Sequence, residues 1–238
     1  MKSRLISGTT RVCGVIGDPI EHTMSPVMHN AVFRELGMDY LYVAFRVKKE
    51  ELGEAIRGMR ALSIRGLNVT IPHKVEVIPF LDELSPLAER IGAVNTIVND
   101  EGVLKGYNTD ATGFLQALLE RDVEPKGKNV VILGAGGASR GISFILAERG
   151  ANLVILNRTW DKARECVSRI SQVFEKKVEA LELSEKNLVG VLGDADILVN
   201  ATSVGMSPNI NETAFPSKLL KSGLVVFDIV YNPIKTKL

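Results

Sequence analysis

The sequence predicts an α/β protein made of two α/β domains with separate, mainly parallel sheets. Three observations carry this. Short apolar runs alternate with amphipathic helical patterns along the whole chain, as strands joined by crossover helices require. The polar stretch Glu124-Pro125-Lys126-Gly127-Lys128 is the clearest punctuation in the chain, and the strand–helix pattern restarts after it. The apolar run at 129–133 then enters a glycine turn, Gly134-Ala135-Gly136-Gly137, that opens a helix.

In the first half, strands are predicted at 12–16, 40–47, 66–71 and 93–99, with helices at 26–36, 50–61 and 85–91. Ser25 before Pro26 is a good helix start, a hydroxyl cap followed by proline at the first helical position. Residues 105–108 lead into a helical pattern at 109–121, with Phe114, Leu115, Leu118 and Leu119 on one face. This helix is read as a bridge between the units, which divides the chain into 1–109 and 110–238. In the second half come a strand at 129–133, a helix at 140–149, a strand at 152–156, a helix at 161–174 and strands at 197–200 and 225–229. There is no internal repeat and no low-complexity segment.

Composition removes several classes of function. In 238 residues, 29 Lys and Arg stand against 28 Asp and Glu, a net charge of +1. That balance lacks the cationic surplus needed to hold nucleic-acid phosphates or an anionic membrane. Aromatic residues are 5% of the chain, too few for base-stacking platforms. No apolar run reaches membrane length and the N-terminus has no signal core, so a soluble cytoplasmic protein is expected. Cys13 and Cys166 read as free thiols in apolar settings. His22, His29 and His73 have no close His or Cys partner, so no metal is expected.

The glycine turn is the strongest local signal and marks the second domain as Rossmann-type. Gly134 allows a tight turn. Gly136 removes the Cβ that would keep a pyrophosphate off the backbone, and the helix start offers free N–H groups. The third glycine of the usual fingerprint is replaced by Ser139. About twenty residues on, Asn157-Arg158-Thr159 stands where an NAD enzyme places a carboxylate for the ribose hydroxyls. Arg158 is instead a planar cation suited to a 2′-phosphate, which predicts NADP. Lys162 and Arg164 add positive charge in the next helix. The plainer alternatives are a tight turn without a ligand and a surface arginine.

Polar residues cluster at strand ends in the first half: 18–26, 68–74, 92–96 and 106–110. Their hydroxyls, amides, lysine and aspartate suit a small polyhydroxylated ligand that needs hydrogen-bond partners of both senses. Lys74 reads as a lysine at a helix start, where the dipole disfavours a cation, which argues that it is kept for function. Asp110 reads as a helix cap that can also serve a ligand. His73 reads as structural.

Together, Met24-Ser25-Pro26, Asn68-Val69-Thr70-Ile71-Pro72-His73-Lys74, Gly92-Ala93-Val94-Asn95-Thr96, Asn108-Thr109-Asp110, Gly134-Ala135-Gly136-Gly137-Ala138, Asn157-Arg158-Thr159 and Asn200-Ala201-Thr202-Ser203-Val204-Gly205-Met206 closely resemble the shikimate dehydrogenase family. The resemblance covers nearly the whole chain, in order. It implies NADPH-dependent reversible reduction of 3-dehydroshikimate to shikimate. It implies catalytic roles for Lys74 and Asp110. It places Thr23, Ser25, Asn68, Thr70, Lys74, Asn95, Asp110 and Tyr231 at the substrate. It places Gly134, Ala135, Gly136, Gly137, Ala138, Asn157, Arg158, Thr159, Thr202, Ser203 and Ile229 at NADP. Thr23 stands where the family commonly has serine, and Ile229 where it often has methionine. The partners implied are the small-molecule substrates, with a monomer or homodimer as the assembly.

The resemblance also implies that the family continues beyond 231–238 into helices that return to the first domain, so the chain reads as truncated. Two rivals stand beside this reading. One is a quinate/shikimate dehydrogenase preferring NAD, for which Asp161 near the strand end is the pointer. The other is a silent NADPH-binding or sensing protein, against which Lys74 and Asp110 speak.

Overall fold

The computed structural model describes residues 6–174 and 178–238. The chain divides into two units, Met1–Thr109 and Asp110–Leu238. The division falls before the last predicted helix of the first half, not at the Pro- and Gly-containing stretch 124–128. That stretch is a loop inside the second unit.

The first unit holds strands β1 (Arg11–Gly17), β2 (Tyr40–Arg46), β3 (Gly66–Val69), β4 (Glu83–Leu84), β5 (Thr96–Asp100) and β6 (Val103–Tyr107). Its helices are α1 (Ser25–Glu35), α2 (Leu52–Ala61) and α3 (Pro86–Ile91). The sheet order is β2-β1-β3-β5-β6-β4. Period-2 alternation along β1 sends its side chains to two cores. Ile16 packs in a cluster with Ile56 and Met59 of α2 and Leu67 of β3. Val15 packs on the other side with Ile20 and Tyr42. Both faces of the sheet are therefore occupied.

This sheet is less parallel than predicted. β1 runs parallel to β2 and β3, but β5 is antiparallel to β3 and to β6. The physical reason is the β5–β6 turn. Glu101 and Gly102 both take positive φ, 50° and 93°, the requirement of a two-residue turn that matches strand twist. The connection is too short for a crossover helix, so the strands must be antiparallel. Strand β6 was read as the approach to a helix. Its Gly106 marks close packing: an added Cβ would lie 2.7–2.9 Å from Leu81, Val94 and Leu84.

A second correction concerns Lys74. No helix starts there. Residues 74–77 form turns that lead into a short 3-10 helix, Ile78–Phe80. Only an isolated helical turn forms, with the Val77 N–H donating to the His73 carbonyl at 2.9 Å. The dipole argument for Lys74 therefore has no helix to act through.

The second unit holds α4 (Asp110–Leu119), β7 (Asn129–Leu133), α5 (Gly137–Glu148), β8 (Asn152–Asn157), α6 (Trp160–Ser171), β9 (Val178–Glu182), α7 (Glu185–Leu192), β10 (Ile197–Asn200) and β11 (Val225–Asp228). All neighbouring strands are parallel, in the order β11-β10-β7-β8-β9. The chain winds outward from β7 through β8 to β9, then crosses to β10 and β11 on the other side. The reversal point lies between β7 and β10, where open α/β sheets hold ligands at the carboxyl ends of the strands. Core strand β7 is apolar at four of five positions, as burial on both faces demands. α5 is buried from Ser139 to Ala147. α4 packs on α5, so the helix read as a bridge is part of the second unit. α7 and β9 had no counterpart in the sequence reading. α7 supplies Leu188 and Leu192 to the core over Val131 and Leu133.

Candidate active site

In the second unit the glycine turn sits at the reversal point. The β7–β10 register pairs Leu133 with Asn200, and the Ala201 N–H donates to the Leu133 carbonyl at 2.9 Å. Gly134 therefore lies against Ala201. Its φ is +103°, and a Cβ there would come 2.8 Å from the Ala201 carbonyl oxygen. Glycine is required on both counts.

Gly136 is different. It is the residue before α5, with φ −82° and ψ −174°, and an added Cβ would meet nothing within 4 Å. The open space lies at a helix start whose first turn has no acidic residue and no side-chain cap. An anion suits that position, because the first N–H groups lack helical partners and the dipole is positive there. Ala135 is buried, while Gly137 and Ala138 are half-buried in and beside the first turn of α5. Ser139, the misfit in the fingerprint, is fully buried and its Oγ donates to the Gly134 carbonyl at 2.6 Å.

Neighbouring strand ends complete this edge. Asn200 is 1% exposed and organises the turn after β10. Its Oδ1 accepts from the Thr202 hydroxyl at 2.7 Å, and its Nδ2 donates to Asp228 Oδ1 at 2.9 Å. Asp228 also accepts from the Val230 N–H and the Thr236 hydroxyl. The sequence reading places neither Asn200 nor Asp228 at a ligand, although Asn200 opens the 200–206 motif. Ile229 follows β11 directly, its N–H donating to the Asn200 carbonyl at 3.1 Å. Ser203 and Tyr231 are exposed. At the end of β8, Asn157 Nδ2 closes the turn on the Thr159 carbonyl at 2.8 Å. Arg158 and Thr159 are exposed there. Arg164, one of the two extra cations, stacks over Trp160 with its guanidinium carbon 4.7 Å from the ring centre.

In the first unit, four of the predicted substrate residues fall in two hydrogen-bonded groups. The Thr23 hydroxyl donates to Ser25 Oγ at 3.1 Å, just before and at the start of α1. Asn68 Nδ2 donates to Thr96 Oγ1 at 3.1 Å, and the Thr96 hydroxyl donates to Asn95 Oδ1 at 3.0 Å. Asn95 is buried, and its Nδ2 donates to Thr109 Oγ1 at 2.8 Å. Tyr42, read only as part of a strand, reaches this set. Its hydroxyl donates to Asn68 Oδ1 at 2.5 Å. Burial pushes the phenol far above the usual range, so it stays a neutral donor.

Thr70 and Lys74 sit beside that set on the loop after β3. The Thr70 N–H donates to the Ile16 carbonyl at 3.0 Å, and the Val94 N–H donates to the Lys74 carbonyl at 2.7 Å. Between them His73 is fully buried, its Nε2 paired with the Val47 carbonyl at 2.7 Å. That contact fixes the loop from below and fits the structural reading of His73. Asp110 lies in the other unit, as the first residue of α4, half-buried. Among the described residues, no group of three or more His, Cys, Asp or Glu is placed to hold a metal. No helix among them is long and apolar enough to cross a membrane.

A dinucleotide-type turn in one unit and a hydroxyl- and amide-lined cluster in the other define the class: a two-unit α/β dehydrogenase. A family model described as the shikimate dehydrogenase substrate binding domain matches residues 15–97, and one described as shikimate / quinate 5-dehydrogenase matches residues 117–235. The chain belongs to the shikimate dehydrogenase family. It is 48% identical over 230 residues to shikimate dehydrogenase (NADP(+)) of Bacillus anthracis, covering 96% of this chain and 82% of that protein. A crystal structure of a shikimate dehydrogenase in complex with NADP+ superposes with a TM-score of 0.88 at 44% identity, covering 98% of this chain and 81% of the other. The Listeria monocytogenes shikimate 5-dehydrogenase, solved with shikimate and NAD, gives 0.86 at 41% identity, covering 99% and 84%.

Proposed function

We propose that the chain catalyses the NADPH-dependent, reversible reduction of 3-dehydroshikimate to shikimate, a step toward the aromatic amino acids. The observation that carries this reading is the pair of hydrogen-bonded groups, Thr23 with Ser25 and Asn68 with Thr96 and Asn95. Hydroxyls and amides held in fixed directions offer both donors and acceptors to a polyhydroxylated carboxylate. The relatives named for this activity match the chain over almost its whole length.

In this reading the first unit binds the substrate and the second binds NADP. The fit of the second unit to a dinucleotide rests on the Gly134–Ala201 contact and on the open space at Gly136. Gly134 to Ala138 would face the pyrophosphate, while Asn157, Arg158 and Thr159 would face the adenosine side, with Arg158 on the 2′-phosphate. Thr202, Ser203 and Ile229 would lie toward the nicotinamide side. When bound, the nicotinamide supplies the hydride that reduces the ketone.

The remaining work belongs to side chains. Reduction leaves an alkoxide, and Lys74 donates the proton that neutralises it while its charge stabilises the developing anion. Asp110 accepts a hydrogen bond from a substrate hydroxyl. Thr23 and Ser25 hold the carboxylate through their hydroxyls, and Thr70, Asn68, Asn95 and Tyr231 take the other polar groups. The protein acts in the cytoplasm as a monomer or homodimer.

The test is a spectrophotometric assay pairing shikimate or quinate with NADP or NAD. Reduction of NADP by shikimate is the expected result. Turnover only with quinate and NAD would establish the rival dehydrogenase, and no turnover with any pair would leave a binding protein.

A further inference from the structure

We propose that Tyr42 is a positioning residue for the substrate, setting the direction of the Asn68 amide through its hydroxyl. The inference rests on the functional reading above and deepens it. The geometry starts from strand register. Tyr42 of β2 pairs with Cys13 of β1, and Asn68 of β3 pairs with Val15 of the same strand. Cys13 and Val15 are two apart, so all four residues point to one face of the sheet. β1 lies between β2 and β3. At about 4.8 Å per strand spacing and about 3.3 Å per residue along the strand, Tyr42 and Asn68 stand about 12 Å apart at the backbone. The tyrosine ring lies across β1 and brings its hydroxyl to 2.5 Å from Asn68 Oδ1. A long side chain with an apolar body and a polar tip is what such a crossing needs.

The ring is held from two directions. His29 of α1 stacks on it with centroids 4.3 Å apart and planes 13° from parallel. Asn30, the next residue, grips the Tyr42 backbone. Its Nδ2 donates to the Tyr42 carbonyl at 2.8 Å, and its Oδ1 accepts from the Tyr42 N–H at 2.9 Å.

The hydroxyl donates to Asn68 Oδ1. The bonds then run in one direction through Tyr42, Asn68, Thr96 and Asn95. Tyr42 fixes which end of the Asn68 amide carries the oxygen, because a flipped amide would turn its NH2 toward the phenol and its oxygen toward Thr96.

The experiment is steady-state kinetics of wild type, Tyr42→Phe, Asn68→Ala and the double variant, with thermal unfolding of each. Phenylalanine keeps the ring and its stack on His29. The expected result is a KM for shikimate raised about tenfold, the worth of about one hydrogen bond. KM for NADP should stay within twofold and kcat within threefold. The double variant should be scarcely worse than Asn68→Ala, because Tyr42 acts through Asn68. An unchanged KM for shikimate, additive losses, or equal losses in both KM values would overturn the proposal. If Tyr42→Phe does not fold, His29→Ala replaces it: it removes the stack that holds the ring, so a raised KM for shikimate with KM for NADP unchanged supports the proposal, and an unchanged KM for shikimate overturns it. Wild-type enzyme inert toward shikimate would overturn the functional reading itself, and the proposal with it. An active wild type with an indifferent Tyr42→Phe would overturn only the proposal.

Discussion

The Ser139 hydroxyl donates to the carbonyl of Gly134, five residues back, at 2.6 Å. The position that breaks the glycine fingerprint thus closes the turn with a side-chain bond. Ser139→Ala removes the donor and leaves a buried carbonyl without that bond. The expected loss of stability is about 1–2 kcal/mol, read by urea unfolding, with a moderate rise in KM for NADPH.

Gly134 and Gly136 should separate folding from cofactor binding. Gly134→Ala forces a Cβ to within 2.8 Å of the Ala201 oxygen at φ +103°. It should cost about 2 kcal/mol or more and weaken NADPH as well. Gly136→Ala meets no neighbour and has an ordinary φ of −82°. It should melt near the wild-type temperature yet bind NADPH at least about tenfold more weakly, because the added methyl sits where phosphate approaches. Normal NADPH affinity in Gly136→Ala would count against that placement.

Lys74→Ala should lower kcat by about 10²- to 10⁴-fold, the usual worth of a positioned proton donor. NADPH binding, followed by nicotinamide fluorescence, should be unchanged. Near-normal turnover would remove Lys74 from the mechanism.

Arg158 is exposed at the end of β8, so its removal should leave the fold intact. Arg158→Ala should weaken NADPH by about 10- to 100-fold and NADH little, as the loss of charge-assisted bonds to one phosphate predicts. Equal losses for the two cofactors would show that Arg158 does not read the 2′-phosphate.

Burial pushes the Cys166 thiol up to about 11. In the unfolded chain the same thiol ionises near 9.0. Its contribution to stability is therefore full below about pH 9 and is lost as pH rises toward about 11. Urea unfolding at about pH 8 and pH 10 should show this fall, and Cys166→Ala should flatten it. Iodoacetamide at about pH 8 should spare Cys166 in the native protein and label it after unfolding.

The second unit was the more legible half because its signals are local. β7 and β10 span the residues that the pattern marks as strands, 129–133 and 197–200. The glycine turn lies directly between its strand and its helix. The first unit depends on long-range choices. The order β2-β1-β3-β5-β6-β4 joins distant segments, and the β5–β6 hairpin hangs on Glu101 taking positive φ. That conformation is uncommon for glutamate and is driven by the flanking strands. α7 was missed because it spans only eight residues. At the site, Ser25, Asn68 and Asn95 were legible as polar residues at strand ends. Tyr42 was not, because an aromatic in a β-rich run looks like core, and it is indeed 3% exposed. What distinguishes it is a hydroxyl contact across β1, which no spacing along the chain encodes.

The Asn30 grip on Tyr42 has a consequence for self-association. β2 is an edge of its sheet, and an edge strand offers open backbone groups as a template for a foreign strand. At Tyr42 both groups are already taken by one asparagine amide, which copies the pairing a neighbouring strand would make. An incoming strand in that register finds neither donor nor acceptor, so the same contact that steadies the ligand-side tyrosine also guards the sheet against edge-to-edge aggregation.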